Sequence, residues 1–311
     1  MKKILISFLL IFIVTQNFIF AAEETDSMQE REALYKKTEA VTQIPWYYLA
    51  AIDQYERQIH GDERLISIRF PDEYWFGISN IYQNASKEAI LFHHGIGLDG
   101  NGDGKALPDD PEDQLYTMAQ YLSSHGLKDH QIHKGLWNFY QRPLAVKTIK
   151  QNANIYRTYQ TIELDEIAFP IPQHFNYSYR STWGDARGFG GRRIHEGTDI
   201  FADYGAPVRA TTYGTVEIKG WNEYGGWRIG IRDVNNIYHY FAHLNGFEAE
   251  IEVGAIVEPG DVIGYVGSTG YGPPGTSGKF PPHLHYGMYK DNGENQWAFD
   301  PYSFLRRAES Q

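Results

Sequence analysis

The chain has 311 residues, of which 42% are hydrophobic and 15% aromatic, and its net charge at neutral pH is −11. This length suffices for about two domains, and the aromatic content argues against a disordered protein. The negative charge provides no long-range attraction to nucleic acids or anionic lipids, so we expect no nucleic-acid partner. The absence of cysteine excludes disulfides, thiolate nucleophiles and cysteine-ligated metals. A metal site would therefore have to use the 12 histidines and the carboxylates.

Residues 1–22 have the pattern of an export signal. Two lysines precede an apolar run that ends at Phe20, and two alanines follow before an acidic pair. We therefore expect the protein to be exported and to act outside the cytoplasm. Phe20 lies where a cleavage site prefers a small residue, so the alternative is an uncleaved segment that anchors the chain. A membrane would be a partner only in that second case.

Hydrophobic periodicity divides the remaining chain into two domains. Residues 23–160 have helical spacing, with a clear helix start at Asp110 followed by Pro111. Residues 161–172 contain two prolines and are predicted to form a linker. Residues 173–306 contain many glycines and short alternating segments, which are typical of strands and turns. The predicted fold is multidomain, with a helical N-terminal domain followed by an all-β domain.

Three fragments of the β domain contain candidate metal ligands and catalytic groups. They are His195-Glu196-Gly197-Thr198-Asp199, Tyr240-Phe241-Ala242-His243-Leu244 and His283-Leu284-His285. On a strand, the two histidines of the last fragment share one face, an arrangement that suits a metal site better than a core. Two histidines and one carboxylate form a set that zinc accepts, with a fourth position open for water. Such a site supports hydrolysis, and the remaining histidines are suited to proton transfer.

Each fragment taken alone has a simpler interpretation. A His-x-His pair is more often a surface pair, and His195 with Asp199 could belong to a capped turn. The glycine and threonine between His195 and Asp199 favour an extended chain, so this pair needs a bend to converge on one ion. The presence of all three fragments in one cysteine-free β domain favours the metal site.

Beyond these fragments, the chain from Phe169 to Leu305 resembles the lysostaphin/LytM-type zinc metallopeptidases, which cut peptide bonds in bacterial peptidoglycan. The resemblance implies a compact antiparallel β fold with an open groove. It also implies that His195, Asp199 and His285 bind zinc, and that His283 and His243 are catalytic. The matching segments include the three fragments above together with Gly205-Ala206-Pro207-Val208, Val257-Glu258-Pro259-Gly260, Gly264-Tyr265-Val266-Gly267 and Pro282-His283-Leu284-His285-Tyr286-Gly287.

The whole chain is similar to the LytH-type sporulation endopeptidases of bacilli, which cut the L-Ala–D-Glu bond of peptidoglycan stem peptides. This similarity implies a role in spore cortex maturation and a location in the cell wall or around the forespore. The same family contains non-catalytic activators and scaffolds that bind the cell wall, which is the alternative function. Those members lose zinc ligands, whereas all five expected positions are filled here. The sequence therefore favours the enzyme.

The N-terminal domain resembles the lysozyme-like lytic transglycosylases over the segment 44–52 and at Glu56, where those enzymes keep their catalytic acid. Two positions differ from that pattern, because Arg57 replaces the usual serine and the segment 75–80 lacks the usual Met-Gln pair. We expect a degenerate domain that positions the enzyme or binds glycan. The alternative is a bifunctional enzyme that also cleaves glycan with Glu56.

The spacing of the loop Asp99–Asp110 allows a Ca²⁺ site. Oxygen-bearing side chains fill loop positions 1, 3 and 5, and a glycine fills position 6. Asp110 falls at position 12, where a glutamate is usual in such loops. The alternative interpretation is a solvated glycine-rich turn that caps the next helix.

Overall fold

The computed structural model of the protein describes residues 27–61, 64–188 and 193–311. The predicted export signal at residues 1–22 lies outside these residues, so it stays a prediction. In the described ranges, no helix has both the length and the apolar character needed to cross a membrane.

The described chain forms two compact units. The first, here called the helical unit, contains residues up to Arg57, Asp62–Arg142 and Gln160–Glu163. The second, here called the β unit, contains Gln58–Gly61, Pro143–Tyr159 and Leu164–Gln311.

Helices dominate the first unit, as the sequence predicts. They are α1 at 27–42, α2 Trp46–His60, α3 Asp72–Trp75, α4 Lys87–Phe92, α5 Pro111–Ser123 and α6 Asp129–Tyr140. The predicted start of α5 is confirmed, because the Asp110 side chain accepts hydrogen bonds from the backbone of Glu112 and Asp113. Aromatic and aliphatic side chains such as Tyr35 and Trp75 form the core of this unit.

The β unit is built around an antiparallel sheet with the strand order β1-β4-β11-β8-β7-β6-β9. Its strands are β1 Tyr177–Tyr179, β2 Ala186–Arg187, β3 Arg193–Ile194, β4 Thr198–Ala202, β5 Pro207–Arg209, β6 Gly214–Asn222, β7 Gly226–Asp233, β8 Tyr238–Phe247, β9 Ile256–Val257, β10 Val262–Val266, β11 His283–Asp291 and β12 Gln296–Phe299. Strand β10 pairs with β5 and β8, β12 pairs with β11, and β2 pairs with β3. Helices α7 (Pro143–Tyr159) and α8 (Tyr302–Glu309) complete the unit. The expected antiparallel β fold is confirmed.

The core of the β unit determines which face of β11 is available for chemistry. Alternate residues of this strand, Leu284, Tyr286 and Met288, are buried in the hydrophobic core. Because side chains alternate along a strand, His283 and His285 lie on the opposite face. The core thus leaves the histidine face free for a site.

The segment predicted as a linker, 161–172, differs from that prediction in its second half. Phe169 and Ile171 are 2% and 0% exposed and belong to the core of the β unit. The Arg209 amide donates to the Pro170 carbonyl at 2.8 Å, so this stretch is also tied to β5. The two prolines suggested a connection, but the apolar residues beside them are buried.

Helix α7, which the sequence assigns to the N-terminal domain, groups with the β unit. The Asn152 side chain donates to the Val234 carbonyl at 3.1 Å, and Lys147 pairs with Glu217 on β6 at 3.1 Å. Asn152 is buried, so its hydrogen bond is protected from water. The helical period of this segment was predicted correctly, but a period does not indicate which core a helix joins.

We expect the fragment 143–311 to fold without the helical unit, and the shorter fragment 165–311 to be less stable. Removal of α7 eliminates the contacts of Asn152 and Lys147 with the sheet, which should cost about 1–3 kcal/mol. The midpoint of thermal unfolding, followed by circular dichroism, should fall by about 2–10 °C. Equal midpoints for the two fragments would show that α7 does not stabilise the β unit.

Candidate metal centre and active site

Two neighbouring strands place Asp199 and His285 side by side. In the antiparallel pair of β4 and β11, Asp199 lies directly opposite His285, and His283 lies opposite Phe201. Residues directly opposite each other in such a pair project from the same face. The register therefore brings a carboxylate and both histidines of β11 to one surface.

His195 completes a cluster of three potential ligands. Its Nε2 atom lies 3.0 Å from Asp199 Oδ1 and 2.8 Å from His285 Nδ1. The His285 Nδ1 atom lies 3.1 Å from the same carboxylate oxygen. Among the residues that the structure describes, these three form the one group of His, Asp, Glu or Cys side chains arranged to hold a metal ion.

The chain bends at Gly197, between His195 and Asp199, as the sequence analysis expected. A Cβ atom at this position would lie 2.6 Å from His285 Cε1 and 2.7 Å from the Tyr286 carbonyl oxygen. Real Cβ atoms do not approach other atoms so closely, so a side chain here would push His285 away. Glycine is therefore required for the close packing of the cluster.

Thr182 orients two of the three ligands, and nothing in the sequence pointed to it. Its carbonyl lies 2.8 Å from His195 Nδ1, and its hydroxyl accepts a hydrogen bond from the Asp199 amide at 3.0 Å. A carbonyl can only accept, so His195 carries its proton on Nδ1 and directs the lone pair of Nε2 toward Asp199. Two acceptor atoms 3.0 Å apart repel each other, and a cation bound between them would remove this repulsion. The set of two imidazoles and one carboxylate fits zinc.

Electrostatics keep these groups in the forms that bind a metal. Burial raises the pKa of Asp199, but His195 and His285 lower it by a larger amount, so the pKa lies well below its usual value. Burial lowers the pKa of His285. The cluster thus favours an ionised carboxylate and a neutral imidazole, which are the ligand forms.

His283 and His243 form a second pair beside the cluster. Their ring centroids lie 4.8 Å apart, and His283 Nε2 lies 3.7 Å from Asp199 Oδ1. His283 Nδ1 donates to the Pro281 carbonyl at 2.9 Å, and His243 Nδ1 donates to the Thr269 carbonyl at 2.7 Å. In each ring, the Nε2 atom therefore remains available to exchange a proton.

A backbone irregularity in β8 turns His243 toward the site. In β8, Phe241 pairs with Tyr286 in the core and Ala242 pairs with His285, so a regular strand would point His243 into the core. Instead, His243 has a φ of 65°, and the pairing of β7 with β8 shifts its register at this point. His239 keeps the regular direction and is fully buried against Tyr286 and Asp233. The irregularity in β8 therefore turns His243, but not His239, toward the site.

A cavity of about 320 Å³ contains all five candidate residues. Its lining combines the histidines with aromatic rings and a few charged groups. The lining residues are Arg187, Arg193, His195, Glu196, Asp199, Phe201, Tyr224, Gly225, Tyr240, His243, Tyr271, Phe280, Pro281, His283, His285 and Tyr289. Arg187, which the sequence analysis did not single out, donates to the second oxygen of Asp199. A substrate in this cavity would contact the metal ligands and the second histidine pair together.

Two further sites predicted from the sequence, Glu56 and the loop Asp99–Asp110, do not form an open cluster of ligands like the one described above. Glu56 is 4% exposed, and its carboxylate accepts a hydrogen bond from Tyr140 at 2.7 Å within the helical unit. In the loop predicted to bind Ca²⁺, Asp99 accepts backbone hydrogen bonds from residues 102–104, and Asp110 caps α5. The carboxylates serve as turn and cap acceptors, so calcium is not supported.

Comparisons with known proteins agree with this geometry. Residues 193–301 match the model of peptidase family M23. The chain is 56% identical over 322 aligned positions to the L-Ala–D-Glu endopeptidase of Bacillus subtilis (strain 168), covering 98% of this chain and 96% of the relative. It is 35% identical to lysostaphin of Staphylococcus staphylolyticus over 37% of this chain and 22% of the relative.

A solved structure of the lysostaphin catalytic domain from Staphylococcus simulans is 31% identical, with a TM-score of 0.34, over 42% of this chain and 92% of that chain. The full-length similarity to the Bacillus relative, together with the matched domain, settles the family. The chain belongs to peptidase family M23 and is a metalloendopeptidase.

Proposed function

We propose that this protein hydrolyses the L-Ala–D-Glu bond in the stem peptides of bacterial peptidoglycan. The observation that carries the proposal is the convergence of His195, Asp199 and His285 beside the pair His283 and His243 in one cavity. The bond specificity is supported by the activity of the Bacillus relative, which matches nearly the whole chain.

His195, Asp199 and His285 would hold the zinc ion through Nε2, Oδ1 and Nδ1. Bound zinc lowers the pKa of water toward neutrality and polarises the scissile carbonyl. Thr182 keeps the His195 ring in the required tautomer and orients the backbone of Asp199. The protein thus supplies a set of ligands whose orientation is fixed before the substrate arrives.

His283 and His243 would manage the protons of the reaction. Burial, and then the charges of His283 and His285, hold the pKa of His243 well below its usual value, so the ring is neutral near pH 7. A neutral ring with its proton on Nδ1 accepts a proton at Nε2, and the resulting imidazolium can then donate that proton to the leaving amine. The same positive charge would stabilise the negative oxygen of the tetrahedral intermediate.

We further infer that the enzyme is exported and acts in the cell wall or around the forespore. The export-like residues 1–22 support a location outside the cytoplasm. The helical unit would position the enzyme or bind glycan, in line with its faint likeness to lysozyme-like enzymes. A glycan-cleaving role for Glu56 is less well supported, because its carboxylate is buried and accepts a hydrogen bond from Tyr140. A non-catalytic role is disfavoured because all five site residues are present.

Product analysis tests the proposed function. The zinc-loaded protein should leave L-Ala with a free carboxyl group on the glycan strands of purified peptidoglycan and should expose new D-Glu amino termini, which mass spectrometry detects. Anhydro-sugar ends should not form, and Glu56→Gln should give the same products. New termini at another residue would refute the bond specificity, and anhydro-sugar ends that disappear in Glu56→Gln would establish the bifunctional alternative.

A further inference from the structure

Two arginines face each other beside the metal ligands. In the small antiparallel pair of β2 and β3, the register puts Arg187 directly opposite Arg193. Like charges directly opposite each other destabilise a strand pair. Both side chains also line the cavity that contains the metal ligands. The two opposed arginines repel each other in the wall of this cavity. A negatively charged partner would offset that repulsion.

One arginine of the pair has such a partner and the other does not. Arg187 donates to Asp199. Arg193 lies over the Tyr224 ring at 5.3 Å, and within the described parts of the chain it forms no ion pair. Glu196, the nearest acidic residue along the chain, lines the same cavity without pairing with Arg193. The guanidinium of Arg193 therefore retains its donors for a ligand.

The position of Arg193 fixes which part of a substrate it can reach. It precedes the metal ligand His195 by two residues, which is about 6–7 Å along an extended chain. Tyr240 and Tyr289 line the same cavity as Arg193. Along the chain, Arg193 is thus about two extended residues from the metal ligand His195.

The proposed substrate carries a negative charge at that distance. A glutamate residue has two carboxyl groups, and only one of them continues the peptide chain. In either linkage, the other carboxylate stays free on the residue next to the L-Ala–D-Glu bond. Arginine binds carboxylates through two parallel hydrogen bonds, which gives geometric selectivity as well as affinity.

We propose that Arg193 binds the free carboxylate of the glutamate that follows the scissile bond, and so determines the specificity of the enzyme. This inference rests on the proposed function, because it concerns the substrate of the same site. Asp199 holds Arg187 in place at the metal centre, while Arg193 selects the substrate. The cross-strand pair of arginines would be balanced electrostatically only when the substrate is bound.

A matched pair of peptides tests this subsite. One peptide contains the L-Ala–D-Glu bond with the free carboxylate, and in the other this carboxylate is a carboxamide. We expect the zinc-loaded wild-type protein to prefer the carboxylate peptide by about 10–100-fold in kcat/KM. Arg193→Gln should reduce this ratio to about 1 by slowing cleavage of the carboxylate peptide, and Arg193→Lys should retain part of it.

Arg228→Gln provides the control. Arg228 lies over the Tyr240 ring at 6.0 Å but is not among the described residues that line the cavity, so this variant should keep the wild-type ratio. An equal loss on both peptides in Arg193→Gln would overturn the subsite and leave Arg193 a structural role in the β2–β3 pair. A wild-type ratio near 1 would also overturn it. Cleavage of neither peptide by the wild type would instead refute the proposed function, and the subsite with it.

Discussion

His285→Ala is expected to remove the metal and the activity together. His285 supplies one of the three converging ligand atoms, and its Nδ1 lies 2.8 Å from His195 Nε2 and 3.1 Å from Asp199 Oδ1. Two remaining protein ligands do not meet the requirement of a zinc site, which has at least three. Loss of a residue that merely orients a ligand already costs about 10–100-fold in affinity or activity, so loss of the ligand itself should cost more.

Elemental analysis of the purified variant, read beside turnover of a stem peptide, measures both effects. His174→Ala is the matched control, because this exposed histidine lies in the β unit away from the cluster and should leave both values unchanged. Circular dichroism should show the same β signal in both variants, since His285 lies on the face of β11 opposite the core. Full zinc content in His285→Ala would exclude it as a ligand.

The parts of the site that lie on one strand could be predicted from sequence, because their geometry depends on local alternation. The shared face of His283 and His285 follows from the two-residue period, and the structure places Leu284 between them in the core. The bend between His195 and Asp199 was also expected, although its cause is not local. Gly197 is needed because His285, 88 residues further along the chain, packs against it.

The orientation of His243 could not be predicted, since strand alternation gives the opposite direction. Its φ of 65° and the register shift between β7 and β8 turn the ring from the core to the cavity. The carbonyls of Thr182 and Thr269 fix the tautomers of His195 and His243. A sequence does not show which backbone carbonyl a side chain will contact. The residue types indicated metal binding and proton transfer, but only the family resemblance assigned these roles to individual histidines.

The domain boundary illustrates the same limit on a larger scale. Periodicity correctly predicted helices before strands. It assigned α7 to the N-terminal domain because α7 has the same helical period as the helices that precede it in the chain. Tertiary hydrogen bonds from Asn152 to Val234, and the ion pair of Lys147 with Glu217, attach it to the sheet instead. Partners that are about 70–80 residues apart in sequence are invisible to a local pattern.

His283→Ala is expected to keep its zinc and to lose most of its activity. The ring lies on the same strand face as His285, but its Nε2 is 3.7 Å from Asp199 Oδ1, further than the corresponding atoms of His195 and His285. It contacts His243 instead, and the two rings lie 4.8 Å apart. Removal of a group that transfers protons should lower kcat by about 10²–10⁴-fold, while all three ligands remain.

The decisive comparison sets the zinc content of His283→Ala against that of His285→Ala. Near-stoichiometric zinc in the first variant and its loss in the second would assign the two histidines of β11 to proton transfer and to metal binding. Because Phe201 and Phe280 pack on the His283 ring at 5.2 and 5.0 Å, His283→Gln, which keeps more of the side-chain volume, controls for collapse of the pocket. The opposite pattern of zinc content would exchange the two roles, and His283 would then be the third ligand.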